Sequence, residues 1–365
     1  MDASLELPVI VPLVACASSA MLTAWSIRYA HRRALVDHPG RRRSHHVPTP
    51  RGGGIGIVAT VLAGLLLVVV AGTGTISSLL ASAIAVAVAM VGMVGWIDDH
   101  RGLAARWRFA AHLLATLLLF APVLLSQSSE YFGAIDARNT WPLLVFAAGF
   151  ACLLLVWAIN LHNFMDGIDG LLAIQAIFVF AVSAFAFLLA GRIAAAVGAL
   201  TCVGATAGFL PFNFPRARIF MGDVGSGVLG LLVGIDILFL LATPRIALAT
   251  GVIACSAFVT DATCTLLSRM LRGRRWYSAH REHLYQWLVR SGFSHARVVA
   301  LYMGWNVLIA LPAILWINRS VEVEAGVSPR DGIGAATLVY VLAVLAWWLG
   351  KRWCLQVAMR RKHAA

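Results

Sequence analysis

The 365-residue sequence carries very little charge: only 12% of its residues are Asp, Glu, Lys or Arg, while 60% are hydrophobic. Soluble domains average about 25% charged residues, so this composition excludes an ordinary water-soluble protein. Cysteine is scarce as well. The six cysteines form no CxxC pair and no disulfide framework, which predicts free thiols packed in helices. Positive charge is absent before the first apolar run, which argues against a cleaved signal peptide.

Apolar runs of about 20 residues recur along the whole chain, and each is long enough to cross about 30 Å of hydrocarbon. The apolar residues do not alternate with polar ones, which favours helices over barrel strands. We therefore expect an all-α integral membrane bundle with a single domain over residues 1–365. The runs predict eleven transmembrane helices, at 7–27, 52–71, 78–97, 109–126, 141–159, 171–190, 193–211, 225–242, 246–267, 298–317 and 334–350.

The distribution of Arg and Lys predicts the orientation of the bundle. With the N-terminus outside, 24 of the 29 Arg and Lys residues fall on one side of the membrane. The positive-inside rule then places the N-terminus in the periplasm and the C-terminus in the cytoplasm. The net charge of +13 follows from this topology, so nucleic acid is not an expected partner. The acidic and histidine motifs fall on the same basic side, which predicts a cytoplasmic active face.

Two acidic motifs stand at predicted span ends. "VGWIDDH" places Asp98 and Asp99 side by side, where two ionised groups repel and nearby lipid raises their cost. A solvated helix end is the structural explanation; a pair that faces a divalent cation or activates a nucleophile is the functional one. "NLHNFMDGIDGLL", residues 160–172, is stronger because its two carboxylates would share one face if the turn were helical. Its polar residues, Asn160, Asn163, Asp166 and Asp169, suit a sugar or a phosphate better than a capped loop.

"FNFPRARIFMGDVGSG" opens the eighth predicted span with a glycine-rich helix start, preceded by Arg216, whose positive charge makes it a candidate for substrate binding. A helix N-terminus with free N–H groups binds phosphate readily. Asp223 would repel phosphate there unless a cation lay between the two. Mg²⁺ held by one or two carboxylates and by substrate phosphates resolves that conflict.

"GRRWYSAHREHLYQWL", residues 273–288, contains His280 and His283, which are three apart. No third ligand for zinc lies nearby, so contacts with phosphate or sugar are favoured over metal binding, and a surface amphipathic helix is the structural alternative.

The segment 37–57, "DHPGRRRSHHVPTPRGGGIGI", is either part of the site or only a linker and topology signal. Asp261 is expected to join the site, and the deeper Asp236 to form a helix–helix hydrogen bond.

Together these motifs predict a metal-assisted phosphate site at the membrane surface. In their order along residues 30–290 they resemble the polyprenyl-phosphate N-acetylhexosamine-1-phosphate transferases, of glycosyltransferase 4 type. The resemblance is greatest to the bacterial branch that initiates O-antigen or related surface glycans. It is weaker to the phospho-N-acetylmuramoyl-pentapeptide transferases of peptidoglycan synthesis, which are the alternative within the enzyme class.

The resemblance implies a reaction at the bacterial inner membrane. Undecaprenyl phosphate attacks the sugar-bearing phosphate of a UDP-N-acetylamino sugar, UMP leaves, and an undecaprenyl diphosphate-linked sugar enters lipopolysaccharide or other cell-wall biogenesis. The cofactor implied is Mg²⁺, for which Mn²⁺ can substitute, and a homodimer is compatible with the family. Roles also carry over by motif: Asp98, Asp99, Asp166 and Asp169 as catalytic acids, Asn160 and Asn163 in the nucleotide-sugar motif, Asp223 as the metal ligand, and His280 and His283 as the late histidine motif.

The sequence departs from the peptidoglycan branch in two places. Lysine stands only at Lys351 and Lys362, so the lipid-phosphate contact is assigned to Arg106 or Arg108. The late motif reads "HREHLYQ" rather than a run of histidines, which favours the O-antigen type and leaves the sugar open. A secondary transporter, the alternative from another class, would place polar groups near the midplane in inverted repeats. Here the acids cluster at span ends and no repeat is evident.

Overall fold

The computed structural model describes residues 3–33, 35–37, 48–71, 78–125, 137–243, 249–274, 280–319 and 329–364, so most of the linker motif at 38–47 lies outside the described residues. Within these ranges the chain is almost entirely helical. The helices are α1 (Ala3–Arg32), α2 (Ile55–Ala71), α3 (Ser78–Arg101), α4 (Ala105–Leu125), α5 (Ala137–Met165), α6 (Leu171–Leu189), α7 (Ile193–Asn213), α8 (Asp223–Leu241), α9 (Thr250–Ala254), α10 (Ser256–Leu271), α11 (Leu284–Arg290), α12 (His295–Asn318) and α13 (Pro329–Ala364).

The all-α polytopic fold class is confirmed. Eight helices in the described part of the chain are long and apolar enough to cross a membrane, namely α1, α3, α5, α6, α7, α8, α12 and α13. The other three predicted spans correspond to the 17-residue α2, to α4, and to the pair α9–α10, which divides the ninth span in two. The tenth span, α12, contains a π-helical turn at Asn306–Ala310. The side of the membrane on which each terminus lies stays a prediction.

Helix α8 is the central helix of the bundle. About 78% of its 18-residue apolar stretch is buried, and the helix packs against α2, α3, α5 and α6. Small residues allow this close packing, because a Cβ on Gly54 would lie 2.3 Å from the Cα of Gly225. A Cβ on Gly95 would lie 2.4 Å from the carbonyl oxygen of Asp223. The ends of α2 and α3 are therefore in contact with the first turn of α8.

A short ribbon fixes the segment that precedes α2. Strand β1 (Val36–Asp37) pairs antiparallel with β2 (Thr49–Pro50), and Arg51 then bridges in parallel to Phe220. The next two residues continue the pairing: the N–H groups of Gly53 and Gly54 donate to the carbonyls of Phe220 and Met221, each at 2.9 Å. The residues before α2 thus lie along those before α8. The starts of α2, α4, α6 and α8 and the ends of α3, α5 and α7 meet at one end of the bundle.

Candidate active site

Asp99 fixes the first turn of α8 from the end of α3. Its Oδ1 accepts the N–H of Asp223 at 3.0 Å and its Oδ2 the N–H of Val224 at 3.3 Å. These are donors that the helix itself leaves free. Gly222 makes the approach feasible: its φ is +78°, and a Cβ there would lie 2.4 Å from Asp99 Oδ2. The Asp99 side chain is only 3% exposed, so it supports the first turn of α8 from the protein interior and does not face solvent.

Two arginines link the acids. Arg51 places its Nε 3.0 Å from Asp99 Oδ1 and donates from Nη2 to Asp223 Oδ1 at 3.3 Å. Arg108, in the first turn of α4, contacts Asp98 Oδ2 at 2.5 Å and Asp223 Oδ2 at 3.5 Å. The other oxygen of Asp98 accepts the N–H of Leu103 in the α3–α4 turn. Asp223 thus has one guanidinium on each of its oxygens.

A cavity of about 290 Å³ opens over Asp223. Polar groups make up much of its wall, among them the predicted site residues Asn163, Asp166, Asp169 and Asp223. Asn163 at the end of α5 donates to Ser226 Oγ on α8 at 3.0 Å, which joins the two motifs directly. The size and the polar lining fit a nucleotide diphosphate group better than an apolar ligand.

Asp169 is held by two other parts of the chain. Its Oδ2 accepts the N–H of Ala217 at 3.2 Å and lies 3.2 Å from Nδ1 of His295, the first residue of α12. The following glycine, Gly170, has φ +77° and donates to Asn213 Oδ1 at 2.8 Å. Asn213 in turn donates to the carbonyl of Ile219 at 3.0 Å. The loop between α5 and α6 is therefore fixed against the segment that leads into α8.

The site holds more negative than positive charge. Four carboxylates, of Asp98, Asp99, Asp166 and Asp223, face the two guanidinium groups of Arg51 and Arg108. Burial is the main cause that raises the pKa of Asp166 to about 7, and the negative charge of Asp223 is the second. The surplus of buried negative charge makes the cavity a favourable place for a cation.

The donor set fits Mg²⁺ with substrate rather than a closed protein cage. Among the described residues, no group of three or more His, Cys, Asp or Glu side chains is arranged to hold a metal ion. Mg²⁺ needs no such group, because it is typically bound by one or two carboxylates with substrate phosphates and water. Asp223 and Asp166 both line the cavity and can serve in that way.

Several predicted site residues lie away from the cavity wall. The Asn160 side chain donates to the carbonyl of Val156 in its own helix at 2.7 Å. Arg106 is exposed, with its guanidinium 5.6 Å from the ring centre of Trp107, and Arg216 is exposed as well. Of the two arginines considered for the lipid phosphate, the structure brings only Arg108 to the acids.

The two histidines pack behind the cavity. Their rings stack with centroids 5.0 Å apart, and both rest on Phe164 in the α5 motif, at 6.4 Å for His280 and 6.2 Å for His283. His283 is 2% exposed, and burial lowers its pKa to about 4, so the ring is neutral at pH 7. Gln286, on the same segment, is the residue that reaches the cavity.

Five polar cavity residues were not singled out from the sequence: Asp37, Arg51, Asn213, Gln286 and His295. The first four lie inside quoted motifs. Asp37 and Arg51 belong to the 37–57 segment, for which a linker was the alternative to a site, and the two amides carry no acidic or histidine signal. His295 stands outside every motif. Its position follows from tertiary packing alone.

The two intramembrane acids differ in their surroundings. Asp236 is buried in the middle of α8, on the same helix as Asp223 but deeper. Asp261 on α10 accepts hydrogen bonds from α11, α12 and α13 instead of facing the cavity.

The chain is similar in sequence to several known proteins. The family model described as Glycosyl transferase family 4 matches residues 80–241, which span α3 to α8 and include most of the acids. The decaprenyl-phosphate N-acetylglucosaminephosphotransferase of Mycolicibacterium smegmatis is 31% identical over 338 residues, covering 83% of this chain and 80% of its own.

Two further relatives extend the comparison. The probable undecaprenyl-phosphate N-acetylglucosaminyl 1-phosphate transferase of Bacillus subtilis is 26% identical, covering 85% of this chain and 87% of its own. A phospho-N-acetylmuramoyl-pentapeptide-transferase of Campylobacter jejuni is 29% identical over 209 residues, which is 52% of this chain and 59% of its own. The two relatives named for N-acetylglucosamine transfer to a polyprenyl phosphate thus match over a much longer stretch than the pentapeptide transferase does.

Proposed function

Since the chain belongs to glycosyl transferase family 4, we propose that it transfers an N-acetylamino-sugar 1-phosphate from a UDP-sugar to undecaprenyl phosphate at the cytoplasmic face of the bacterial inner membrane. The relatives are named for a polyprenyl-phosphate acceptor and for N-acetylglucosamine, which favours N-acetylglucosamine as the sugar of the UDP-sugar donor. The product, an undecaprenyl diphosphate-linked sugar, would begin an O-antigen or another surface glycan.

One observation carries the proposal. A polar cavity at the start of the central helix is bounded by Asp166 and Asp223, with Arg51 on the same wall. The cavity lies at the end of a bundle of apolar helices, where a water-soluble nucleotide sugar can meet a phosphate carried by a lipid. Phosphoryl transfer depends mainly on positioning and charge neutralisation, which are the properties this wall has.

The proposed step needs no covalent intermediate on the protein. An oxygen of the lipid phosphate bonds to the sugar-bearing phosphorus of the donor. The bond from that phosphorus to the bridging oxygen breaks, and its electron pair leaves on UMP. A phosphate monoester has a second pKa of about 6, so near pH 7 the acceptor is already largely dianionic and needs no strong base. Asp98 and Asp99 then act mainly by holding Arg108, Arg51 and the first turn of α8.

The remaining residues bind and orient the substrates. Arg108, between Asp98 and Asp223, would bind a phosphate oxygen, and the Asn163 amide at the cavity wall would bind the sugar or the diphosphate. Mg²⁺, when bound, neutralises charge on the transferred phosphate oxygens. Asp223 is its proposed principal ligand, with Asp166 beside it.

The runner-up is a phospho-N-acetylmuramoyl-pentapeptide transferase, which shares the reaction type. The shorter match of such relatives weighs against it.

The test is a donor panel with purified protein, undecaprenyl phosphate and Mg²⁺, with UMP release as the readout. We expect turnover with UDP-N-acetylglucosamine or another simple UDP-N-acetylhexosamine. Turnover only with UDP-N-acetylmuramoyl-pentapeptide would establish the runner-up, and no UMP release from any donor would refute both.

A further inference from the structure

Helix α11 is too short to be stable by itself. It has seven residues, Leu284–Arg290, whereas isolated helices below about 12–15 residues are marginal in water. Yet it carries Gln286 to the cavity wall, and its Tyr285 hydroxyl donates to the carbonyl of Phe164 at 2.9 Å. The hydroxyl also lies 2.1 Å from where a Cβ on Gly167 would be, beside Asp166. Whatever fixes α11 therefore fixes one side of the substrate cavity.

Asp261 on α10 holds the beginning of α11. Its carboxylate accepts the N–H of Leu284 at 2.7 Å and the N–H of Tyr285 at 3.3 Å, two donors that a helix start leaves free. Three side chains donate to the same carboxylate: Thr265 Oγ1 at 3.2 Å, Tyr302 Oη at 2.7 Å and Trp347 Nε1 at 3.1 Å. One buried carboxylate thus joins α10, α11, α12 and α13.

These contacts exclude a direct role for Asp261 with substrate. An ionised carboxylate offers about four lone-pair positions, and five donors already surround this one. The side chain is 2% exposed and does not line the cavity. Because protein donors occupy its acceptor positions, Asp261 acts on the neighbouring segments of the protein and not on substrate.

The C-terminal helix α13 holds α11 from the other side. The Lys351 ammonium donates to the carbonyl of Glu282, just before α11. Arg361 donates to the carbonyls of Arg290 and Ser291 at 3.3 and 3.0 Å, where the helix leaves its last acceptors free. Both ends of α11 are therefore held by groups outside it.

We propose that Asp261 is a positioning residue for the transfer reaction: by holding the start of α11 it sets where Gln286 and Tyr285 stand against the Asn163–Asp169 loop. The inference rests on the proposed function for its kinetic part only. Because the cavity wall is affected and the acids around Asp223 are not, loss of Asp261 weakens donor binding more than the chemical step.

The first experiment measures amide hydrogen exchange in the full-length protein in nanodiscs and does not depend on activity. Asp261→Asn keeps the volume but turns one acceptor oxygen into a donor toward the N–H groups of α11. Peptides that cover residues 284–290 should exchange at least ten-fold faster, while peptides of α6 keep their protection. Unchanged exchange over 284–290 would overturn the proposal. Asp236→Asn, also a buried acid, is the matched control and should leave α11 as it is.

The second experiment compares kinetic constants in the UMP-release assay. For Asp261→Asn we expect the KM for the UDP-sugar to rise at least ten-fold while kcat at saturating donor falls less than about three-fold. The KM for undecaprenyl phosphate should not change. A loss confined to kcat at unchanged donor KM would contradict a positioning role.

A second variant covers the case in which Asp261→Asn does not fold. Arg361→Gln alters an exposed side chain at the far end of α11, so folding is not at risk, and it should raise both the exchange of residues 288–290 and the donor KM. Normal exchange in Arg361→Gln together with an unfolded Asp261→Asn would refute the proposal. If the wild-type protein released no UMP, the proposed function would fail, while the exchange data would still decide whether α11 is held in this way.

Discussion

At the scale of single residues, the surroundings of Asp223 predict how the acids divide their tasks. Each of its oxygens faces a guanidinium, its backbone N–H donates to Asp99, and its carboxylate lines the cavity. A cation is what reconciles that carboxylate with a diphosphate. Loss of a metal that stabilises a transition state costs several kcal/mol. We expect Asp223→Asn to lower UMP release at least ~10³-fold, at about 1.4 kcal/mol per decade.

The control for this prediction lies on the same helix. Asp236→Asn changes a buried acid about three and a half turns deeper, outside the cavity, and should cost far less turnover. The two variants are compared across a Mg²⁺ titration. Equal damage from both, or near-normal activity of Asp223→Asn at ordinary Mg²⁺, would refute the assignment.

Arg106 and Arg108 form a second matched pair, two residues apart on α4. Arg108 contacts Asp98 and Asp223, whereas Arg106 is exposed and packs against Trp107. Hydrogen bonds to charged groups contribute about 1.5–3 kcal/mol, so Arg108→Gln should reduce turnover by about one to two orders of magnitude. Arg106→Gln should stay within about two-fold of wild type. Initial rates at saturating donor and varied undecaprenyl phosphate measure the difference, and a larger loss from Arg106→Gln would reverse the assignment.

Sequence reasoning identified the acids of the site more completely than their partners. Asp98, Asp99, Asp166 and Asp223 are conspicuous because carboxylates at span ends are costly, and the structure places all four around two guanidinium groups. Arg51 is one of several arginines in the 37–57 segment and nothing in the sequence distinguishes it, because its pairing with Asp223, 172 residues away, depends on the ribbon and on the contact with Phe220. His295 carried no signal, since its partner Asp169 is distant in sequence and its own surroundings are ordinary.

At the scale of helices, the glycines around α8 determine how closely α3 can approach the site. Gly95→Ala would press a methyl group against the backbone of Asp223, where overpacking typically costs 1–3 kcal/mol. The end of α3, which carries Asp98 and Asp99, would shift from the first turn of α8. We therefore expect a lower thermal unfolding temperature and reduced UMP release.

Gly149→Ala on α5 is the control for this substitution. Nothing lies within 4 Å of a Cβ added there, and helical Ala is favoured over Gly by up to about 1 kcal/mol. The variant should keep wild-type activity and melt at the same or a slightly higher temperature. If both alanines had the same effect on melting and activity, the close approach of α3 to α8 would not be the cause.

Helices were easier to predict than their interruptions. Apolar runs located all eight helices of the described residues that are long and apolar enough to cross a membrane, because a membrane demands a long apolar segment with internally satisfied backbone groups. The division of the ninth span at Cys255 and the π-helical turn in α12 lack such a signal. In the structure, Asn306 at that turn donates to Gln175 at 2.6 Å, and Gln175 donates to the carbonyl of Ala254 at the division. Local composition does not encode pairing over such sequence distances.

At the scale of the whole molecule, the convergence of helix ends predicts which positions share a side of the membrane. Arg101, the last residue of α3, and Arg272, just after α10, lie toward the site, whereas Arg192 lies between α6 and α7 at the opposite end, and all three are exposed. With a cytoplasmic site, an impermeant thiol reagent added to intact cells should label a cysteine at position 192 but not at 101 or 272. Labelling at 101 or 272 with none at 192 would invert the orientation. Positions near Arg42 and Arg275 carry the same expectation but lie outside the described residues.

The dependence of α11 on groups outside it has a consequence for exchanging parts between relatives. A chimera that receives only residues 280–290 from another transferase would obtain a segment whose holding groups, Asp261, Lys351 and Arg361, remain those of the host. The segment would then pack against the cavity in a different position, even if every residue of the other transferase's motif were present. Donor-sugar preference should therefore move between relatives only when the short helix is transferred together with the parts of α10 and α13 that hold it.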